Sequence, residues 1–189
     1  MDEDIVLIQS VKQGDRAAFD LLVRKHMKPA YAYCKRILNN HQDAEDASQN
    51  AFLKAYRYIS GFEGKSSFKT WFYTILTNEC MNRIKSVKTM PVKSISGTEH
   101  DLPAPEPRLA TVFQGDADFI SQQVKEAVNS LPERQRLAFA LNCYQGLDYK
   151  EIAGVLSCSY ENVKVLISLA RKSLRERLKN LVKDGGMCL

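Results

Sequence analysis

Residues 148–167, DYKEIAGVLSCSYENVKVLI, carry the pattern of a helix-turn-helix. Asp148 can cap a first helix, and Glu151 stands three residues later, as in a capping box. Ser157 and Cys158 supply a turn, and Ser159 can cap a second helix. The apolar residues of that second helix repeat at helical spacing, and they are Val163, Ile167, Ala170 and Leu174. This order of cap, helix, turn and cap predicts a small helical module that can enter a DNA groove.

The outward face of the second helix is polar and partly basic. Between residues 131 and 183, ten basic residues stand against five acidic ones, a net excess of five. A helix that merely packs in a bundle also has a solvated polar face, but the basic excess favours contact with DNA phosphates. The residues predicted to face DNA are Ser159, Tyr160, Glu161, Asn162, Lys164, Val165, Ser168, Arg171 and Lys172.

Upstream of this module lies a stretch without helical or alternating apolar periodicity. Residues 90–118, MPVKSISGTEHDLPAPEPRLATVFQGDAD, contain four prolines and more acids than bases. Loops of this length are unusual inside one compact domain. The sequence therefore predicts two domains, at 1–89 and 119–184, joined by a long flexible linker at 90–118 and followed by a short tail at 185–189.

Both flanks of the linker read as helix, and no strand pattern of any length occurs. In the first half we predict helices over residues 2–12, 16–38 and 42–59, and a fourth that begins at residue 68. Asn39 and Asn40 supply a stop and a new cap, and Ser66 or Ser67 can cap the fourth helix. In the second half, helices are predicted over 119–130 and from 131 to 146. The fold class is therefore all-α, with two small helical domains.

The fourth helix begins FKTWFYTILTNECMNRIK, residues 68–85, and holds the only tryptophan of the chain. At about 100° per residue, Phe68, Phe72, Ile75 and Leu76 share one arc, as a core stripe does. Trp71 lies outside the middle of that stripe, with the side chains of Asn78, Asn82 and Lys85 as its angular neighbours. Two interpretations stay open. Trp71 lies at the edge of the core with its indole N–H exposed to water, or it belongs to a strip of side chains that binds unpaired bases.

Composition excludes several classes of protein. The 189 residues carry a formal charge of +5, which permits a polyanionic partner. No signal peptide and no apolar run of membrane-spanning length is visible, so we expect a cytoplasmic protein without direct membrane insertion. The five cysteines are scattered and no histidine stands at ligand spacing, so no metal and no cofactor is expected. With no nucleophile motif or Gly-rich phosphate loop, we expect no enzymatic activity.

Together the two halves resemble a bacterial RNA polymerase sigma factor of the extracytoplasmic-function (ECF) group of the sigma-70 family. The first half resembles region 2 in residues 43–56, DAEDASQNAFLKAY, and 62–78, FEGKSSFKTWFYTILTN. The second half resembles region 4 in residues 131–136, LPERQR, in residues 146–153, GLDYKEIA, and in the helix at 159–178. The similarity covers nearly everything except the linker and the tail.

The resemblance implies partners and roles. The partners would be core RNA polymerase, through its β′ coiled-coil and β flap, promoter DNA and an anti-sigma factor. Residues implied to bind the polymerase are Asp43, Asp46, Gln49, Asn50, Leu53 and Arg57. The loop from residue 62 would receive a base flipped from the −10 element, and the second helix of the helix-turn-helix would read the −35 element. The residues implied at the −10 element are Phe62, Lys65, Ser66, Ser67, Phe68, Lys69, Trp71, Asn78, Asn82, Arg83 and Lys85.

One departure from the family pattern leaves two readings open. Residues 165–169, VLISL, are apolar where the family's recognition helix usually carries arginines. Either the −35 element is read by fewer groups, through DNA shape, or this apolar face meets a protein such as an anti-sigma factor.

Two other functions remain possible on the residues alone. A stand-alone helix-turn-helix regulator would need only the second half, and it leaves the Trp71 strip and the acidic-start helix at 42–59 unexplained. A helical adaptor without nucleic-acid binding would explain the bundles but not the basic excess. Binding to core polymerase separates all three classes.

Overall fold

The structure is a computed structural model that describes residues 3–89 and 114–179. Within these two ranges the chain forms eight α-helices and one short 3-10 turn, and no strand. The all-α prediction is therefore confirmed. The helices are α1 Glu3–Lys12, α2 Arg16–Leu38, α3 His41–Tyr58, α4 Phe68–Thr89, α5 Gln114–Asn129, α6 Glu133–Cys143, α7 Tyr149–Val155 and α8 Tyr160–Arg177.

Local capping sets the ends of the helices in the first module, α1–α4. Asn39 adopts a left-handed conformation, φ 53°, and ends α2. Asn40 then caps α3, because its side chain accepts a hydrogen bond from the backbone N–H of Asp43 at 2.9 Å. Ser67 caps α4 by accepting from the N–H of Thr70 at 3.1 Å. The predicted stop and both predicted caps are confirmed, and α2 continues through Pro29 as one helix.

The core of the first module is aromatic. Phe68, Phe72 and Leu76 are completely buried, as the predicted stripe requires, and Ile75 is half-buried. A second buried stripe follows at spacings of three and four, formed by Thr70, Tyr73, Thr77 and Cys80. Helix α4 is therefore buried along two lines, and the sequence pattern revealed only one of them.

The second module, α5–α8, contains the predicted helix-turn-helix. The backbone N–H of Glu151 donates to Asp148 Oδ1 at 2.8 Å, and the N–H of Asp148 donates to Glu151 Oε2 at 2.9 Å, which confirms the capping box. Ser157 has φ 47° in the turn, and Ser159 caps α8. The chain bends by 102° between α7 and α8, within the range typical of this motif. All four predicted core residues of α8 are buried.

Helix α5 begins at Gln114, five residues before the predicted start at residue 119. The rest of the predicted linker, residues 90–113, and the tail lie outside the described residues. Within the described ranges no single helix is long and apolar enough to cross a membrane, and only α7 and α8 taken as a bent pair pass a test of length and hydropathy.

The two modules pack against each other. Helix α4 contacts α7, and α2 contacts α5 and α6. One contiguous hydrophobic core includes Leu22 and Phe72 from the first module and Leu141 and Ile152 from the second. A sequence divided by a Pro-rich stretch gave no indication that its halves share a core.

Candidate nucleic-acid interface

The loop between α3 and α4 forms an open pocket. Gly64, at φ 72°, turns the chain in a conformation that L side chains rarely adopt. The pocket has a volume of about 170 Å³, and its lining consists of Gly61, Phe62, Glu63, Gly64, Lys65, Ser66 and Trp71. An aromatic ring, a hydroxyl and backbone groups can together hold a flat, polar ligand such as a nucleobase.

Three aromatic rings support this pocket from below. Phe62 lies edge-on to Phe68 at 6.3 Å and to Trp71 at 5.4 Å between ring centroids. Phe62 and Phe68 are both buried, so their rings are packed inside the protein, whereas Trp71 is half-buried. The structure brings all three predicted residues together. It leaves Trp71 as the one ring of the three with substantial accessible surface.

The strip of α4 beyond Trp71 is partly accessible. Asn78, Asn82 and Lys85 are exposed, as the helical spacing predicts, and Thr74 beside them is half-buried. Asn82 lines a crevice of about 250 Å³ together with Asn50 of α3. Two amides, an ammonium group and an indole therefore lie along one side of α4, which suits contact with bases and phosphates.

The predicted phosphate-binding cations of the first module already have partners in the protein. Arg83 donates from Nε to Asp43 Oδ1 at 2.7 Å, and its Nη2 lies 3.5 Å from Asp46 Oδ2. Lys65 pairs with Glu63 in the loop. Lys69 is half-buried and donates to the main-chain carbonyl of Gln145 at 2.5 Å. Because lysine has three N–H donors and arginine five, DNA phosphates would share these cations with their internal acceptors or displace them.

The predicted polymerase-binding residues lie along α3. Gln49, Asn50, Leu53 and Arg57 are exposed, with 57% of Leu53 accessible. Asp43 and Asp46 are half-buried and paired with Arg83, so the structure joins one predicted DNA residue to two predicted polymerase residues. A groove of about 590 Å³ runs between α2 and α3, lined by Arg16, Phe19, Asp20, Val23, Met27, Gln49, Phe52, Leu53 and Tyr56. Its apolar floor suits a helical partner.

All nine predicted residues of the −35 surface are exposed on α8 or at its cap. A shallow groove of about 510 Å³ beside them is lined by Tyr149, Lys164, Ile167, Ser168, Arg171, Lys172 and Arg175. It contains four cations and no carboxylate. This basic face borders the buried stripe of α8 at Ile167 and is accessible, as recognition of duplex DNA requires.

The apolar part of α8 is also accessible. Val165 is 55% exposed and Leu169 is 44% exposed, while Leu166 is half-buried. These side chains are available to thymine methyl groups or to a protein partner.

Sequence reasoning missed the residues that join the modules. The hydroxyl of Tyr73 donates to Gln145 Oε1 at 2.6 Å, and the hydroxyl of Thr70 donates to Glu151 Oε1 at 2.6 Å. Burial raises the pKa of Tyr73 well above its usual value, so its hydroxyl stays protonated and can donate. These partners are more than 70 residues apart along the chain, so no local pattern could reveal them. Within the described residues no group of three or more potential ligands is placed to hold a metal ion.

Two protein-family models match the chain in the order of the modules. Residues 22–89 match Sigma-70 region 2, and residues 121–174 match Sigma-70 region 4. The chain is 32% identical to the RNA polymerase sigma-H factor of Pseudomonas aeruginosa, over 97% of this chain and 98% of that protein. It is 30% identical to the ECF RNA polymerase sigma-E factor of Escherichia coli, over 95% of this chain and 96% of that protein.

Solved structures agree with this match. The sigma factor RpoE of Bartonella quintana, in a co-crystal structure with the anti-sigma factor NepR, superposes with a TM-score of 0.64 at 26% identity. That alignment covers 85% of this chain and 96% of the other. Fold and surfaces thus define a two-module helical transcription factor with region 2 and region 4. The chain belongs to the sigma-70 family of RNA polymerase sigma factors, within its ECF group.

Proposed function

We propose that this sigma factor binds core RNA polymerase through α3 and the β′ coiled-coil, and through region 4 and the β flap. The exposed side chains of Gln49, Asn50, Leu53 and Arg57 on α3 support the first contact. The chain would then direct the enzyme to promoters in the cytoplasm. It makes and breaks no bond itself, because the polymerase supplies the chemistry.

At the −10 element, the pocket at residues 61–66 and Trp71 would take a base flipped from the duplex. Flipping costs a few kcal/mol, which stacking and hydrogen bonds in the pocket would offset. Asn78 and Asn82 would contact neighbouring bases, while Lys65, Lys69, Arg83 and Lys85 would hold phosphates. Phe62 and Phe68 would act by supporting Trp71, because their rings are buried.

At the −35 element, α8 would enter the major groove. Lys164, Arg171 and Lys172 would bind phosphates, and Tyr160, Asn162, Val165 and Ser168 would face base edges. The observation that carries the proposal is the presence of both surfaces in one chain: an aromatic pocket for an unpaired base and a basic helix for intact duplex. A stand-alone regulator would need only the second, and an adaptor would need neither.

An anti-sigma factor would hold the protein inactive. The support is the similarity to a sigma factor solved with its anti-sigma factor, together with the exposed apolar side chains of Val165 and Leu169. If an anti-sigma protein and duplex DNA both contact these side chains, adding the anti-sigma protein should displace duplex DNA from α8. A competition titration would test this.

The decisive experiment is transcription by core polymerase with this chain on a library of promoter fragments, with strand opening followed by permanganate footprinting. Asn78→Ala and Trp71→Ala are expected to reduce opening by about tenfold or more while polymerase binding is retained. Gln9→Ala, an exposed amide on α1, is the control. Trp71→Phe keeps an aromatic ring in the packing and separates loss of function from loss of folding. Equal loss of polymerase binding in these variants would contradict the assignment.

Since Trp71 is the only tryptophan, its fluorescence reports directly on the pocket. In the holoenzyme, where the polymerase adds tryptophans of its own, this chain alone is labelled with a tryptophan analogue that can be excited separately, and single-stranded DNA with a −10 sequence is expected to quench that signal. Unchanged fluorescence at saturating DNA would exclude Trp71 from the strand-binding surface.

A further inference from the structure

Helix α1 ends before residue 22, where the match to Sigma-70 region 2 begins. It nevertheless packs beside the pocket that the proposed function assigns to a flipped base, because it contacts the 3-10 turn Ile59–Gly61 that leads into the pocket loop. Ile8 and Val11 of α1 are buried in the same hydrophobic core as Phe62. One face of α1 therefore belongs to the core that supports the pocket.

One side chain of α1 reaches the pocket loop itself. Lys12, in the last turn of α1, donates from Nζ to the main-chain carbonyl of Phe62 at 2.5 Å, across 50 residues of sequence. At Phe62 the chain leaves the 3-10 turn and enters the loop, and the ring of this residue lies against Trp71. A hydrogen bond from a charged donor is stronger than one from a neutral donor. Lys12 therefore fixes the main chain at the entry of the pocket.

The two ends of the pocket loop are held by different means. At the exit, Ser67 caps α4 by accepting from the N–H of Thr70 at 3.1 Å, a bond between residues three positions apart. At the entry, the N–H of Phe62 donates to the carbonyl of Ile59 at 3.1 Å. The carbonyl of Phe62 faces away from that turn and accepts from Lys12. Local bonds thus fix the exit, whereas the entry depends in addition on a side chain from another helix.

Helix α1 is itself anchored to α2 at both ends, so Lys12 projects from a fixed base. At the start of α1, the carboxylate of Asp4 lies 2.9 Å from His26 Nε2 of α2, and both side chains are buried. At the end of α1, Gly14 turns the chain at φ 98°, and Asp15 then caps α2. Because a positioning bond orders its acceptor only if the donor is itself ordered, these anchors suit Lys12 to that role.

We propose that Lys12 is a positioning residue for the −10 pocket. By fixing the carbonyl of Phe62, it keeps the entry of the loop and the neighbouring ring of Trp71 in the geometry that accepts a flipped base. The inference rests on the proposed function and extends it to α1. Lys12 acts through a protein carbonyl and not through DNA, so loss of its bond disorders the pocket without removing a phosphate contact.

The chain offers matched variants for the test. Lys12→Met removes the donor and keeps most of the length of the side chain, whereas Lys12→Arg keeps a charged donor that can reach the same carbonyl. Lys28→Met is the control, because Lys28 is an exposed lysine on α2 and this substitution removes the same charge. Each full-length variant is assembled with core polymerase, and thermal unfolding followed by circular dichroism shows that each is folded before DNA is added.

Binding is measured by the anisotropy of a labelled single-stranded −10 oligonucleotide added to the holoenzyme. Parallel oligonucleotides carry an abasic nucleotide at each position in turn, and the wild-type protein identifies the position whose base occupies the pocket. On the intact oligonucleotide, Lys12→Met is expected to weaken binding about fivefold, and Lys12→Arg and Lys28→Met by less than about twofold. On the oligonucleotide without that base, Lys12→Met and the wild type are expected to bind equally, because the pocket is empty in both.

Salt dependence separates positioning from a direct phosphate contact. A lost contact to a single strand reduces the slope of log affinity against log salt by about 0.7, whereas loss of a positioning bond leaves the slope unchanged. A slope reduced by that amount in Lys12→Met but not in Lys28→Met would overturn the positioning role.

The remaining outcomes distinguish this inference from the proposed function. If the affinity of the wild type depends on no base of the −10 oligonucleotide, the proposed function fails at that element and the inference fails with it. If the wild type depends on one base but Lys12→Met weakens binding by the same factor with and without that base, or not at all, the proposed function stands and the positioning role is overturned. An equal loss in Lys12→Arg and Lys12→Met also overturns it, because a donor would then not be the cause.

Discussion

The two surfaces that we propose to face DNA differ in the partners of their cations. In the first module, Lys65, Lys69 and Arg83 are paired with acceptors inside the protein. On α8, within the described part of the chain, Lys164 and Lys172 form no ion pair. On α8 only Arg171 among the cations proposed to bind phosphate donates a side-chain hydrogen bond inside the described residues, to Asn142 Oδ1 at 3.1 Å, whereas the three cations of the first module would share their N–H donors between internal acceptors and DNA. This difference suits a protein that binds intact duplex with its second module and opens the strands with its first.

The largest expected effect tests whether the two modules, which share one hydrophobic core, unfold as one unit. Phe72 is fully buried in the aromatic core, and Phe72→Ala is expected to lower the free energy of unfolding by about 3–5 kcal/mol. Because the modules share a core, urea denaturation should show one transition, with Trp71 fluorescence and far-ultraviolet circular dichroism coincident. Leu169→Ala on exposed α8 is the control and should change stability by less than about 0.5 kcal/mol. Two separate transitions would show that the modules fold independently.

The next largest effect is a loss of folding stability at alkaline pH. The groups responsible lie in the first module. Burial raises the pKa values of Tyr33 and Tyr73, and a hydrogen bond from the Cys80 thiol to Cys34, together with burial, raises that of Cys80. A raised pKa contributes stability that is present below the unfolded values, about 8.5 for a thiol and 10 for a phenol, and is lost as the pH rises toward the folded values.

Unfolding free energy should therefore fall above about pH 9, with a slope approaching 1.4 kcal/mol per pH unit for each proton that the unfolded chain alone releases. Denaturant titrations between pH 8 and 11 measure this slope. Tyr33→Phe should reduce it at pH 10 to 11, because this phenol is completely buried. A slope that is the same in Tyr33→Phe as in the wild type would exclude a contribution from this phenol.

The smallest effect is on the salt dependence of DNA binding. It compares a cation of α8 with a cation of the first module. Lys172→Ala should reduce the slope of log affinity against log salt for duplex promoter DNA by about 0.9, because one phosphate contact and its released counterion are lost. Arg83→Ala should reduce that slope by less, since any phosphate contact of Arg83 competes with its ion pairs to Asp43 and Asp46. Filter binding of the holoenzyme over a series of salt concentrations measures both. Similar changes in the two variants would remove the distinction between the surfaces.

Local features were predictable from the sequence because they depend on neighbours along the chain. The capping box at Asp148 and Glu151, the cap at Ser159 and the bounds of α2 follow from side chains within a few positions of each other. The exposed polar face of α8 follows from its buried stripe in the same way. These are consequences of helical periodicity and of capping chemistry.

The rest depends on contacts between distant segments. The ion pair of Arg83 with Asp43 spans 40 residues, and the bond from Lys69 to Gln145 spans 76. Charge alone made both cations look available to DNA, since periodicity indicates a face but not what lies against it. The second buried stripe of α4 was missed for the same reason, because its polar members Thr70 and Thr77 are buried by partners that only tertiary structure supplies.

Glu151 connects the two modules through a single carboxylate, and this has a genetic consequence. A substitution there changes both the cap at the start of the helix-turn-helix and the hydrogen bond from the Thr70 hydroxyl. A variant selected for a change in the α7 cap at this codon should therefore also show changed packing of α7 against α4. Selection cannot adjust one trait at this position without disturbing the other.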